Sequence, residues 1–213
     1  MAKYDRYQDY VIKDGKLVGE FEQMYKDFDD PWEQSEREKY ASEKSVCINL
    51  VEAFERQNVI ELGCGFGQLT DRLRKICPNT TGLDISQTAI KKAKKRYPKC
   101  DFRISKFLDF DLLRSLQPDC IVMAEITWYV LDDLDRFLEF LKKEMPNTLL
   151  IHLLTTYPKG EQKYGVDKFT TLSEIKDYFG MKYFEWGEIE KTEMNGCKRT
   201  YFAGCYGDIV SKV

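Results

Sequence analysis

The sequence has a single histidine, His152, and none of its seven cysteines is spaced Cys-x-x-Cys from another. That leaves little material for a zinc site, so no metal is expected. The odd thiol count fits reduced cysteines in a cytoplasmic protein better than a disulfide framework. No stretch approaches the roughly 18 apolar residues of a membrane span. The N-terminal MAKYDRYQDYVIKDGK lacks an apolar signal core, and a soluble protein without a membrane partner is expected. There is no large charge of either sign. With a formal net charge of -3, no global basic field draws the chain to nucleic acid. The densest positive run, Lys91-Lys92-Ala93-Lys94-Lys95-Arg96, reads as the outer face of a helix whose apolar stripe is Ile90, Ala93 and Tyr97. Repeats, low-complexity tracts and Pro/Gly/Ser-rich linkers are also missing. The 213 residues therefore read as one domain, monomeric or homodimeric, with a helical lid region at 1–56 and a core at 57–213.

What is present is alternation. NVIELG, TTGLDI, DFRIS, DCIVMAE and TLLIHLLT are short apolar runs that read as strands. Between most of them lie helical patterns: GQLTDRLRKIC, SQTAIKKAKKRY with Ser86 as N-cap, and DDLDRFLEFLKKEM. Strands alternating with helices predict right-handed βαβ units and a mostly parallel, doubly wound α/β sheet. After a further helix at LSEIKDYF, two strand-like runs flank Asn195-Gly196, a strong hairpin signal, so an antiparallel hairpin is expected to close the sheet. Before residue 58, GEFEQMYKDF and SEREKYASEKSVCINLVEAF read as helices, broken at Phe28–Trp32.

In such sheets ligands bind beyond the carboxyl ends of the strands, where VIELGCGFGQLT, residues 59–70, falls. Gly63, Gly65 and Gly67 let backbone approach a ligand closely. The spacing misses the dinucleotide fingerprint Gly-x-Gly-x-x-Gly, whose third glycine slot holds Gln68. Glu61, just before the loop, repels a pyrophosphate but suits an ammonium. S-adenosylmethionine carries an ammonium and no phosphate, so it fits this loop better than NAD does. Asp84, at the end of the second core strand, is placed to accept both ribose hydroxyls.

Glu61-Leu62-Gly63-Cys64-Gly65-Phe66-Gly67, Asp84 and AEITWYVLDD together resemble the class I S-adenosylmethionine-dependent methyltransferases. The resemblance implies a Rossmann-like seven-stranded sheet, S-adenosylmethionine as methyl donor and S-adenosylhomocysteine as product. By position it implies that Gly63, Gly65 and Gly67 form the cofactor loop, with Glu61 on the amino group, Asp84 on the ribose, and Ile85 and Phe107 beside the adenine. Where many members carry Gly-Asp after the third strand, this chain has Ser105-Lys106-Phe107, and a lysine cannot accept the adenine amino hydrogen bond. Asp109 or backbone near Phe107 would take that role, or apolar packing would hold the ring. The segment DPWEQSE at 30–36, followed by Lys39-Tyr40, is similar to the nodulation-protein-S-like branch, which N-methylates an amino sugar.

Two groups are candidates for catalysis. Glu125 follows CIVMA, so it emerges at the carboxyl end of the fourth core strand, beside the donor's methionine end and the acceptor. His152 lies near the end of the fifth, and histidine alone has an unperturbed pKa near neutral, which makes it the candidate general base. Trp32, Trp128, Tyr129 and Tyr157 are candidate acceptor-binding rings. A methyltransferase acting on a hydroxyl or amine of a small polar, sugar-related acceptor is expected; the alternatives are a non-catalytic S-adenosylmethionine-binding protein or partner subunit, and a nicotinamide oxidoreductase. The Asp/Asn-Pro-Pro-aromatic sequence of base-amino methylases is replaced by Ala124-Glu125-Ile126-Thr127, against nucleic acid as substrate.

Overall fold

The computed structural model describes residues 2–33 and 42–209. A 3-10 turn at Tyr7–Tyr10 leads into a two-stranded hairpin, β1 (Ile12–Lys13) and β2 (Lys16–Leu17). The turn residues Asp14 and Gly15 both have positive φ, 50° and 70°, as a type I′ turn requires. The Asp-Gly pair is a hairpin signal that the helical reading of this region passed over. Helix α1 (Phe21–Asp27) and then α2 (Ser42–Ala53) precede the core. Residues 34–36, Lys39 and Tyr40, part of the motif singled out above, lie outside the described residues.

The core alternates β3 (Val59–Leu62), α3 (Gln68–Ile76), β4 (Thr80–Asp84), α4 (Gln87–Arg96), β5 (Asp101–Ile104), α5 (Phe110–Leu116), β6 (Cys120–Ala124), α6 (Leu131–Glu144) and β7 (Leu149–Thr156). Helix α7 (Leu172–Phe179) and strands β8 (Lys182–Glu190) and β9 (Lys198–Cys205) follow. The sheet order is β5-β4-β3-β6-β7-β9-β8. The first five of these pair in parallel, and β9 inserts antiparallel between β7 and β8. The expected hairpin exists, with Asn195 and Gly196 both at positive φ, but a short 3-10 turn at Thr192–Met194 lengthens its connection.

Burial on both faces explains the largely apolar runs of β3, β6 and β7. Ile121, Met123, Leu150 and Leu154 point to one face, packed with Leu134, Phe137 and Leu141 of α6 and Ile175 and Phe179 of α7. Val122, Ile151 and Leu153 point to the other, against Cys47, Leu50 and Val51 of α2 and Leu69 and Leu73 of α3. The expected lid is therefore narrower than residues 1–56, because α2 is a layer of the core.

The segment ahead of α2 is pinned to α4. The Glu22 carboxylate accepts from Ser86 Oγ (2.6 Å), Thr88 N (3.0 Å) and Thr88 Oγ1 (2.8 Å), and these donors hold it down at a pKa of about 2 against the opposing effect of burial. Lys92 Nζ donates to the carbonyls of Tyr25 (2.9 Å) and Phe28 (3.3 Å), at the end of α1 where carbonyls lack helical partners. Ser86 caps α4 as expected, accepting from Ala89 N at 3.0 Å. Among the described residues no helix is long and apolar enough to cross a membrane.

Candidate functional site

A cavity of about 830 Å³ opens over the carboxyl ends of β3, β4, β6 and β7, and Glu61, Gly63, Asp84, Ile85, Phe107 and Glu125 all line it. Trp32, Trp128, Tyr129 and Tyr157 line it too. The parallel strands deliver groups as far apart in sequence as Glu61 and Tyr157 to one rim, as an open α/β sheet does.

At the glycine loop the structure divides the labour. Gly63 lines the cavity, with φ 70° and Ile126 Cγ2 only 2.3 Å from where a Cβ would stand. Gly65 and Gly67, expected in the same loop, are not among the lining residues. Gly65 donates its N–H to Asp84 Oδ2 at 2.9 Å. Gly67 opens α3 at φ 80° with the Phe102 ring 2.3 Å from a hypothetical Cβ. Both shape the loop rather than the cavity wall, so part of the glycine pattern reports packing.

Asp84 also accepts from Ser86 N at 2.8 Å. One oxygen is thus tied to the loop and the other to α4, and both keep lone pairs for a ligand's hydroxyls. Burial raises its pKa despite these two donors. Glu61 is buried and accepts from Thr70 Oγ1; burial pushes it up to about 7. A carboxyl in that state is stabilised as an anion by a cation placed beside it. Next to Asp84, the half-exposed Ile85 presents an apolar face, and Phe107 lies across the cavity, packed 4.7 Å from Phe137 centroid to centroid. Asp109 is occupied elsewhere: it caps α5 by accepting from Leu112 N at 3.2 Å. Ser105, Lys106 and Phe107 are the residues that line this end.

Glu125 stands at the end of β6 in the left-handed region, φ 63°, a costly conformation for a residue with a side chain. Its Oε2 accepts from Thr155 N (2.9 Å) and Thr155 Oγ1 (2.7 Å), and Arg199 Nε lies 3.0 Å from Oε1. Arg199 also donates to Thr155 Oγ1. This carboxylate is therefore a fixed, ion-paired part of the cavity wall.

His152 does not reach the cavity. On β7 the odd-numbered Leu153 and Thr155 face it, so His152 points to the opposite side of the sheet. There it is fully buried between Phe179 (4.9 Å) and Phe202 (4.8 Å), with Nε2 2.7 Å from Thr127 Oγ1. Burial pushes its pKa down to about 3. The expected general base is a neutral core residue, because strand alternation and not distance from the strand end decides its side.

Of the aromatic candidates, Trp128 is buried and donates Nε1–H to the Thr155 carbonyl at 2.9 Å, while Tyr157 is partly exposed at the rim. Tyr7, Tyr25, Lys44 and Arg199 also line the cavity, and sequence reading passed over them. Phe21, Tyr25 and Phe28 recur at helical spacing, a legible apolar face. Arg199 has no local signal, since only the pairing Thr155↔Arg199 brings it in.

Residues 60–145 match a family model described as a methyltransferase domain. No curated protein matches the chain. Among solved structures it is similar to the N-methyltransferase NodS from Bradyrhizobium japonicum WM9 in complex with S-adenosyl-L-homocysteine, with a TM-score of 0.61 at 19% identity over 83% of this chain and 93% of that one. It is also similar to the methyltransferase domain of bacterial CtHen1-C (TM-score 0.58, 16% identity, 78% and 97% covered). A third likeness is to magnesium protoporphyrin IX methyltransferase (ChlM) from Synechocystis PCC 6803 with bound SAH (TM-score 0.57, 14% identity, 80% and 85% covered). At these identities the likeness is one of fold.

Proposed function

Because the chain has the class I S-adenosylmethionine-dependent methyltransferase fold and a methyltransferase domain over residues 60–145, we propose that it transfers a methyl group from S-adenosylmethionine to a hydroxyl or amine of a small polar, sugar-related acceptor in the cytoplasm. The observation that carries this reading is the pair of buried acids, Glu61 and Asp84, on adjacent strands and lining one cavity. An adenosine-bearing cation needs both: an acceptor pair for the ribose hydroxyls and an anion for the ammonium.

In this reading Asp84 takes the ribose hydroxyls and Glu61 the amino group. Ile85 and Phe107 hold the adenine, with apolar packing in place of the missing aspartate. When bound, S-adenosylmethionine supplies an electrophilic methyl group. The chain's part is to line up the acceptor, a contribution that can be worth several kcal/mol. The wall formed by Glu125, Thr155 and Arg199, with Trp128 and Tyr157 beside it, fixes the acceptor side.

Calorimetric titration with S-adenosylmethionine, S-adenosylhomocysteine and NAD is the test, joined to product analysis on a panel of small amines and alcohols. Binding of the first two but not NAD, with a methylated product, is expected. NAD binding alone would overturn the reading in favour of an oxidoreductase. Tight binding of the methyl donor with no turnover on any acceptor would leave a non-catalytic binder or partner subunit.

A further inference from the structure

We propose that the acceptor is an amine, methylated on nitrogen inside an aromatic cage built by Tyr7, Tyr25, Trp32 and Tyr129. The inference rests on the methyl-donor reading above and narrows it.

The first observation concerns proton removal. A hydroxyl attacking a methyl group must lose its proton as it reacts, so an alcohol acceptor calls for a base within hydrogen-bond reach. Among the described residues no histidine lines the cavity, and each carboxylate that lines its acceptor side is already engaged. His152 faces the far side of the sheet. Glu125 is engaged by Thr155 and Arg199. Glu43 is ion-paired with Lys191, and Asp133 faces Arg136 at 3.5 Å. Glu61 and Asp84 belong to the donor side, at the ends of β3 and β4. An amine needs no such base, because it reacts from its neutral form.

The second observation is the cage. Trp32 is its hub, with ring centroids 5.5 Å from Tyr7, 5.9 Å from Tyr25 and 6.2 Å from Tyr129. The rings are inclined at 62°, 57° and 44° to Trp32, so none is covered by flat stacking on the indole. All four line the cavity. Trp32 is also held at φ 65°, a conformation that a bulky residue adopts only when its surroundings impose it. Aromatic faces within about 6 Å of a cation attract it, and such cages select quaternary or methylated ammonium groups.

The chemistry joins the two. The nitrogen lone pair forms the new N–C bond as the C–S bond breaks, and the electron pair of the broken bond stays on sulfur as a neutral thioether. The positive charge moves from sulfur to nitrogen, and the methylated ammonium then gives its proton to water. A cage that stabilises a cation at the acceptor favours the charge at the place where it develops.

The experiment uses the full chain saturated with S-adenosylhomocysteine, whose sulfur is neutral, and measures binding of choline and of its uncharged isostere 3,3-dimethylbutan-1-ol by calorimetry. Choline is expected to bind at least about fivefold more tightly, and Trp32→Leu should bring the two to parity. Equal or tighter binding of the isostere, no binding of choline, or indifference to Trp32→Leu would overturn the cage. In parallel, glucosamine and glucose are offered with S-adenosylmethionine as a matched pair, and mass spectrometry locates any methyl group. An O-methylated product would overturn the inference while leaving the methyl-donor reading intact. Failure of S-adenosylhomocysteine to bind at all would instead count against that underlying reading.

Discussion

If Glu61 meets the ammonium of the methyl donor, cofactor affinity must carry the titration of Glu61. In the free protein burial holds this carboxyl at about 7. In the complex the cation returns it toward the ordinary carboxylate value of about 4.5. Binding therefore releases a proton whenever the free group is protonated, and affinity falls as pH falls through the free value. With these two values the dissociation constant should rise about fifteenfold between pH 7 and pH 5.5, or about 1.6 kcal/mol. The ligand's own α-amino group, with a pKa near 8, stays largely protonated over this window. Calorimetry in two buffers of different ionisation enthalpy reads both the affinity and the proton released. Glu61→Gln should flatten the curve, with a melting curve to show that the variant is folded. A wild-type affinity that does not change over this range, or a slope that survives Glu61→Gln, would refute the placement of the ammonium beside Glu61.

Asp84→Ala should weaken S-adenosylmethionine binding by about 1–3 kcal/mol, the cost of removing a charged hydrogen-bond partner, and unchanged affinity would remove Asp84 from the ribose. Gly67→Ala should cost about 2–4 kcal/mol of stability, since its Cβ would stand 2.3 Å from Phe102 Cζ at φ 80°; a melting temperature equal to wild type would show that the loop has another conformation. His152→Leu should leave the pH profile of turnover unchanged. It should also remove a pH-dependent stability component: a histidine at about 3 folded and about 6.5 unfolded contributes fully well above pH 6.5 and loses roughly 2 kcal/mol by pH 5. Denaturant melts at the two pH values check this, and Glu61, whose raised value gives a slope of the opposite sign, is separated by its own variant.

The sheet and the cavity rim at Glu61, Gly63 and Asp84 were legible because they are written in local patterns. Strand-length apolar runs, a glycine loop and strand-end acids occupy contiguous stretches, and the parallel topology brings their ends together without further instruction. Ser86 and Asn195-Gly196 were equally readable as local backbone chemistry. His152 was misread because its distance from the strand end carries less information than its parity: an even position on β7 faces α7, and only the register settles which parity is which. Arg199 was invisible for a related reason, since its role depends on pairing with Thr155 across 44 residues. The N-terminal region was partly legible: the apolar spacing of α1 was plain, but SEKSVCINLVEA alone does not show that this helix covers a sheet face while Glu43 and Lys44 at its start reach the cavity.

The insertion of β9 between β7 and β8 also bears on biosynthesis. When β7 has emerged from the ribosome, its outer edge has no partner, because the strand that will pair with it begins at Lys198, after α7 and β8 have been made. A long hydrophobic strand with an open edge invites pairing with other nascent chains. Translation of the intervening residues is thus a period of exposure in which a chaperone would find its target. The same delay means that Glu125 can meet Arg199 only after β9 has been made, so a prematurely terminated chain would keep the glycine loop and lack this part of the cavity wall.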